Sequence, residues 1–202
     1  MKILIIGDSQ AAGSPGAAVE RALRQQGHDV RRIGYSGHGA ADWVRLHWAE
    51  YEAALRGRPQ DVLLIFGSND PANDTLRAAM RRLKDSHGRV WYAGPPRYRD
   101  AAAQARGVGI REMARQEFGP RFLDAYPHTD ESVPRAPDGV HFTRAGGDAW
   151  GAGIVRDWQA ASSGQRLLGG TARERGLRIG LGLLGAGVLF ALASWGWGRR
   201  RR

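Results

Sequence analysis

The sequence predicts an α/β protein built on a parallel sheet with helices on both faces. Three observations predict it. Short apolar runs alternate with helical patterns from residue 2 to about residue 160. Two of these runs, Ile3-Leu4-Ile5-Ile6 and Val62-Leu63-Leu64-Ile65-Phe66, are continuous, as strands buried on both faces are. Several runs end directly in glycine and polar residues, and open sheets of this class bind ligands at the carboxyl ends of their strands.

The first run, Ile3–Ile6, is rich in β-branched residues and leads into Gly7-Asp8-Ser9. A helix is expected over Ala17–Gln26, stopping at Gly27. A weaker strand follows near Val30–Ile33. The stretch Ala40–Leu55 predicts one helix, because Val44, Trp48, Tyr51 and Leu55 fall on one face. Val62–Phe66 is the clearest strand and ends at Gly67. Thr75–Lys84 reads as a helix, and Val90–Ala93 as a fourth strand closed by Gly94-Pro95-Pro96. A helix over Ala101–Phe118 gathers Ile110, Met113, Ala114 and Phe118, although Gly107 and Gly109 weaken its first half. Phe122-Leu123 is a fifth strand. A last helix starts near Thr143 and carries Trp150, Ile154 and Trp158.

The domain reading is 1–163 for the α/β domain, 164–178 for a basic linker, 179–198 for a candidate transmembrane helix and 199–202 for an arginine tail. Ile179–Trp197 contains no charged residue. At about 1.5 Å per residue it spans roughly 28 Å, close to the roughly 30 Å of a bilayer's hydrocarbon core. Arginines flank it, and Trp195 and Trp197 stand where an interfacial belt would lie. Its glycines are tolerated in membrane helices, although a hydrophobic hairpin would read the same way. Met1–Ile6 is too short for a secretory signal. The expectation is therefore a single-pass C-terminal anchor, with the domain cytoplasmic by default.

The net charge of +10 raises the question of nucleic acid. Residues 166–202 hold eight arginines against Glu174, a balance of +7 that leaves +3 for residues 1–165. The domain is nearly neutral for its size, so no nucleic-acid partner is expected. The absence of cysteine excludes disulfides, thiolate metal sites and a cysteine nucleophile. No metal or other cofactor is expected. No phosphate loop with lysine is present, which argues against an NTPase.

Four polar motifs carry chemistry. Ser9 follows the first strand and is held at the sheet's carboxyl edge. Ser36-Gly37-His38-Gly39 follows the second, where a glycine lets a backbone N–H approach a substrate closely. Gly67-Ser68-Asn69-Asp70 follows the third. In a sheet of order 2-1-3-4-5, Ser9 and Asn69 face one crevice, and the Asn69 amide can donate to a developing oxyanion. Asn73 and Asp74 are better placed to cap the next helix, which leaves Asn69 free. In Asp138-Gly139-Val140-His141-Phe142-Thr143, His141 can take the Ser9 proton while Asp138 orients the imidazole. His38 beside the glycine, and Arg97, Tyr98 and Arg99 after the fourth strand, are candidate substrate contacts.

In order and spacing these motifs resemble the SGNH/GDSL hydrolase family over residues 2–160. The family's four named residues match Ser9, Gly37, Asn69 and His141, with Gly34 or Gly39 as alternatives for the glycine. The fragment Asp138–Thr143 followed by Gly146 or Gly147 is similar to the family's last block. The resemblance implies a three-layer α/β/α, flavodoxin-like sandwich with a mostly five-stranded parallel sheet, no metal, and an acyl-serine intermediate. It also implies an oxyanion hole formed by the Ser9 and Gly37 backbone N–H groups and the Asn69 side chain. Gln10 stands where the family's name motif has leucine, on the helix side, where it is not expected to touch the chemistry. The Gly-x-Ser-x-Gly elbow of ordinary α/β-hydrolases is absent.

The expected function is hydrolysis of an ester through acyl-Ser9. Among small family members, acetyl or short acyl esters on carbohydrate are common substrates, so a small-molecule or carbohydrate ester is expected. Two alternatives stand beside it. One is an O-acyltransferase that uses the same site at a membrane. The other is a membrane-anchored binding or structural module without activity.

Overall fold

Strand β1 (Lys2–Gly7) is buried from Ile3 onward and pairs in parallel with β2 (Asp29–Gly34) and β3 (Asp61–Ile65). Strands β4 (Val90–Ala93) and β5 (Phe122–Leu123) extend the sheet beyond β3, giving the order β2-β1-β3-β4-β5. The chain winds first to one side of β1 and then to the other, so a crevice opens at the carboxyl ends of β1 and β3. This computed structural model describes residues 1–164. The basic linker beyond residue 164, the candidate span 179–198 and the arginine tail lie outside the described residues. Among the described residues no helix is long and apolar enough to cross a membrane.

Helices α1 (Ser9–Ala12) and α2 (Ser14–Gln25) follow β1, and α3 (Ala40–Leu46) and α4 (Trp48–Leu55) precede β3. Helices α5 (Asp74–Asp85) and α6 (Ala101–Phe118) flank β4, and α7 starts at residue 144. On one face of the sheet, Leu4, Ile6, Val62, Leu64 and Tyr92 pack against Trp43, Met80, Leu83, Ile110 and Phe118 from α3, α5 and α6. Alternation sends Ile3, Ile5, Leu63, Ile65 and Trp91 to the other face, where they are equally buried. There α2 and α7 touch closely, since a Cβ on Gly151 would come within 2.7 Å of the Ala18 methyl carbon. The result is three layers.

One buried charge ties the second face together. Asp61, 0% exposed, forms an ion pair with Arg89 and accepts from the Trp158 indole at 3.0 Å. A fully buried carboxylate is tolerated only where donors converge on it in this way.

The expected helix Ala40–Leu55 is two helices. His47, at φ −117 and ψ 10, interrupts it. The cause is tertiary: Trp43 turns inward and its indole donates to the Gly7 carbonyl at 3.0 Å, so Trp43 is more deeply buried than Val44. The His47 ring meanwhile stacks on Tyr35, with centroids 4.1 Å apart. Helix α2 starts at Ser14, earlier than expected, with Pro15 in its first turn. Helix α6 is continuous through Gly107, where the Tyr98 ring packs so closely that a Cβ would come within 2.9 Å of it.

Candidate active site

Gly7 sets the position of Ser9. A Cβ on Gly7 would sit 1.9 Å from the Ile65 carbonyl oxygen, so only glycine lets β1 and β3 run this close at their ends. The chain then turns through Asp8, and Ser9 opens α1 half-buried. The Ser9 Oγ lies 3.0 Å from His141 Nε2, and His141 Nδ1 lies 2.6 Å from Asp138 Oδ2. The three residues brought together by sequence reasoning thus form one hydrogen-bonded chain across a separation of 132 residues.

The loop that carries His141 is shaped by its own aspartate. Asp138 Oδ1 accepts from the backbone N–H groups of Val140 and His141, both at 2.9 Å. Gly139, at φ +67, supplies the left-handed turn this requires. The loop is pinned from outside: Arg99 N–H donates to the Gly139 carbonyl at 2.9 Å, and Ala136 N–H to the His141 carbonyl at 2.8 Å. Thr143 closes it by capping α7, its Oγ1 accepting from Gly146 N–H. The hydrogen bond from His141 holds the Asp138 carboxyl down to about 2, with the two backbone N–H groups adding to the effect. An ionised Asp138 assigns the imidazole proton to Nδ1, leaving the Nε2 lone pair toward Ser9.

Asp8 organises the opposite side of the serine. It is fully buried; its Oδ1 accepts from Gln10 N–H at 2.8 Å, and its Oδ2 from Gly67 N–H and Asn69 Nδ2, both at 2.7 Å. Burial pushes its carboxyl up to about 6, against the pull of those three donors. Asn69 is therefore not free: one amide hydrogen holds Asp8. Sequence reasoning missed Asp8, although it directly precedes the serine. It also missed Asp70, whose buried carboxylate accepts from Ala40 N–H at 2.6 Å and serves as the cap that Gly39 cannot supply to α3. Gln10 was not expected to approach the chemistry, yet its Nε2 lies 3.5 Å from the Val140 carbonyl beside His141.

The three candidate glycines differ in physical role. Gly34 is required by the backbone of Ala12, 2.4 Å from where a Cβ would stand, and Gly39 by the Asp70 carboxylate. Gly37, at φ +81, is exposed, and a Cβ there would meet nothing within 4 Å. It lies in a turn whose base is fixed to β1, since Tyr35 N–H donates to the Gly7 carbonyl at 3.0 Å.

His38 does not line the cavity that the other candidate substrate contacts share. The His38 Nδ1 is 2.6 Å from His47 Nε2, so that edge of the ring is occupied. Arg97 is exposed, with its guanidinium 4.7 Å from the centroid of the Tyr126 ring. Tyr98 is buried, and burial pushes its phenol well above the usual range. Arg97, Tyr98 and Arg99 line a cavity of about 560 Å³ on the Asp138 side of the site. Among the described residues no group of three or more His, Asp or Glu could hold a metal ion.

No family model matches the chain, and no curated protein matches it. Solved structures do. An alpha/beta hydrolase enzyme from the metagenome of Lake Arreo superposes with a TM-score of 0.62 at 16% identity, covering 77% of this chain and 94% of the other. A variant of Axe2, an acetyl xylan esterase from Geobacillus stearothermophilus, gives 0.59 at 20% identity over 77% and 93%. A two-domain esterase active on acetylated mannans gives 0.57 at 16% identity over 81% of this chain and 50% of that one. At these identities the likeness is one of fold.

Proposed function

We propose that this chain is an SGNH-type serine esterase that hydrolyses acetyl or other short acyl esters on carbohydrate. The observation that carries the proposal is the relay from Ser9 Oγ to His141 Nε2 at 3.0 Å and from His141 Nδ1 to Asp138 Oδ2 at 2.6 Å. A hydroxyl is a weak nucleophile until a base takes its proton as it attacks, and a neutral imidazole oriented by a carboxylate does this.

Ser9 Oγ attacks the ester carbonyl carbon, and its proton passes to His141 Nε2. Negative charge gathers on the carbonyl oxygen, with the Ser9 and Gly37 N–H groups and the other Asn69 amide hydrogen as its donors. The exposed, unobstructed Gly37 supports its choice over Gly34 and Gly39. The C–O bond to the alcohol then breaks, and His141 returns the proton to the departing oxygen. Water attacks acyl-Ser9 by the same path and releases the acid. The acyl group and carbohydrate class draw support from fold neighbours named for acetyl xylan and acetylated mannans. The charge-free run within 179–198 supports a C-terminal membrane tether for this activity, and fractionation of the full chain with membranes is its check.

Steady-state assays with p-nitrophenyl esters of increasing chain length test the reaction. Acetate is expected to be turned over fastest, with kcat/KM falling as the chain lengthens. Absence of turnover on every ester, with Ser9 unreactive toward a fluorophosphonate, would leave a binding module. Preferential transfer of acetyl to an added sugar alcohol would make the enzyme an acyltransferase.

A further inference from the structure

Arg97, Arg99 and Arg135 line the cavity of about 560 Å³, and none of them forms an ion pair with a carboxylate among the described residues. Most arginines on the helices do, including Arg77 and Arg81 with Glu117 and Arg111 and Arg115 with Asp124. Arg135 is the most telling of the three. It is only 9% exposed, and its Nη1 has no hydrogen-bond partner. Its other contacts are the Arg97 carbonyl, which accepts from Nη2, and the face of Phe142, 3.6 Å from the guanidinium carbon. Burial without a carboxylate pulls its pKa down to about 10. A buried guanidinium with an idle donor is costly unless an anion completes it.

The rest of the lining favours an anion over a neutral sugar ring. Tyr126 is the aromatic face a sugar would stack on, but the guanidinium carbons of Arg97 and Arg111 lie 4.7 and 4.6 Å from its centroid. Asp130 also lines the cavity; its Oδ1 accepts from the backbone N–H and hydroxyl of Ser132, which hold its carboxyl below the usual range, and the Arg97 charge adds to this without forming an ion pair. Glu131 accepts from Arg99 through its backbone carbonyl. Counting both acids against the three arginines leaves the lining with one net positive charge.

The cavity's position says which part of an ester would fill it. Arg99 and Arg135 also line a groove that runs on to Asp138 and Gly139. That is the His141 side, where the departing alcohol oxygen receives its proton. We propose that the Arg97–Arg99–Arg135 cavity is a subsite for a carboxylate or phosphate group carried by the alcohol part of the ester. The link to the alcohol rests on the esterase reading; the anion site does not.

Calorimetric titration of the detergent-solubilised full chain with glucuronate, inorganic phosphate and glucose tests it. Saturable binding of glucuronate, phosphate or both is expected, with none for glucose. The double variant Arg97→Ala/Arg99→Ala, both exposed positions, is expected to weaken that binding at least tenfold. Binding of glucuronate alone assigns the subsite to a sugar acid, and binding of phosphate alone to a phosphorylated alcohol. No saturable anion binding, equal binding of glucose, or phosphate binding undiminished in the double variant (the signature of the arginine tail) overturns the proposal. Hydrolysis of p-nitrophenyl acetate by the same preparation separates the two readings. Turnover without anion binding removes only the subsite; anion binding without turnover upholds it and removes the esterase.

Discussion

Ser9→Ala is expected to lower kcat on p-nitrophenyl acetate by roughly 10⁴–10⁶-fold, the loss seen when a nucleophile that works as part of a unit is removed. His141→Ala is expected to lose as much, and the double variant no more than either alone. The reason is the serial geometry: the Ser9 hydroxyl meets the base at 3.0 Å, and without either partner no proton moves. What remains is binding and the oxyanion donors, which still act on an external hydroxide. The fold has no stake in this hydroxyl. Its side-chain partner is His141, the residue is half-buried, and alanine suits the first turn of α1. Thermal unfolding of Ser9→Ala should therefore match the parent within a few degrees. Activity within tenfold of the parent in either single variant would end the assignment.

Much of this was legible in the residues. The runs at Val62–Phe66, Val90–Ala93 and Phe122-Leu123 are apolar enough to be strands in any setting, and each appears within a residue or so of its expected place. Asn73 caps α5 through Leu76 N–H, as its spacing suggests. Asp138 and His141 are neighbours in sequence, so their hydrogen bond needs only a local turn. What stayed hidden depends on distant partners. The break at His47 follows from Trp43 reaching the end of β1. Asp70 caps a helix 30 residues away. Arg135 becomes unusual only once it is buried beside Arg97. Asp8 stands in plain view next to the serine, but its sequence neighbours do not reveal that Gly67 and Asn69 converge on it.

Asp8→Asn is expected to lower kcat by roughly 10–10²-fold with KM changed only a few-fold, because the Asp8 carboxylate holds the amide of Asn69, the proposed oxyanion donor. Three donors point at the Asp8 carboxylate, and an amide must turn its own NH₂ toward at least one of them. Protonating Asp8 does similar damage, since the acid hydrogen occupies an oxygen that a donor needs. As pH falls through about 6, the parent should lose a component of kcat that Asp8→Asn lacks. Stability should respond with the opposite sign. The folded pKa of about 6 lies above the ordinary value of 3.8, so the folded state holds this proton more tightly than the unfolded chain. The stabilisation is therefore fully present below pH 3.8 and is lost as pH rises through about 6. It amounts to something on the order of 3 kcal/mol for so fully buried a group. Urea unfolding at pH 4 and pH 7.5 reads most of it: the stability of the parent relative to Asp8→Asn should be about 2 kcal/mol higher at the lower pH. A gap independent of pH would mean that Asp8 carries no such charge penalty. At neutral pH the protein then keeps a buried anion that its stability disfavours. That anion holds the Asn69 amide at 2.7 Å, so the cost of its burial falls on the proposed oxyanion donor.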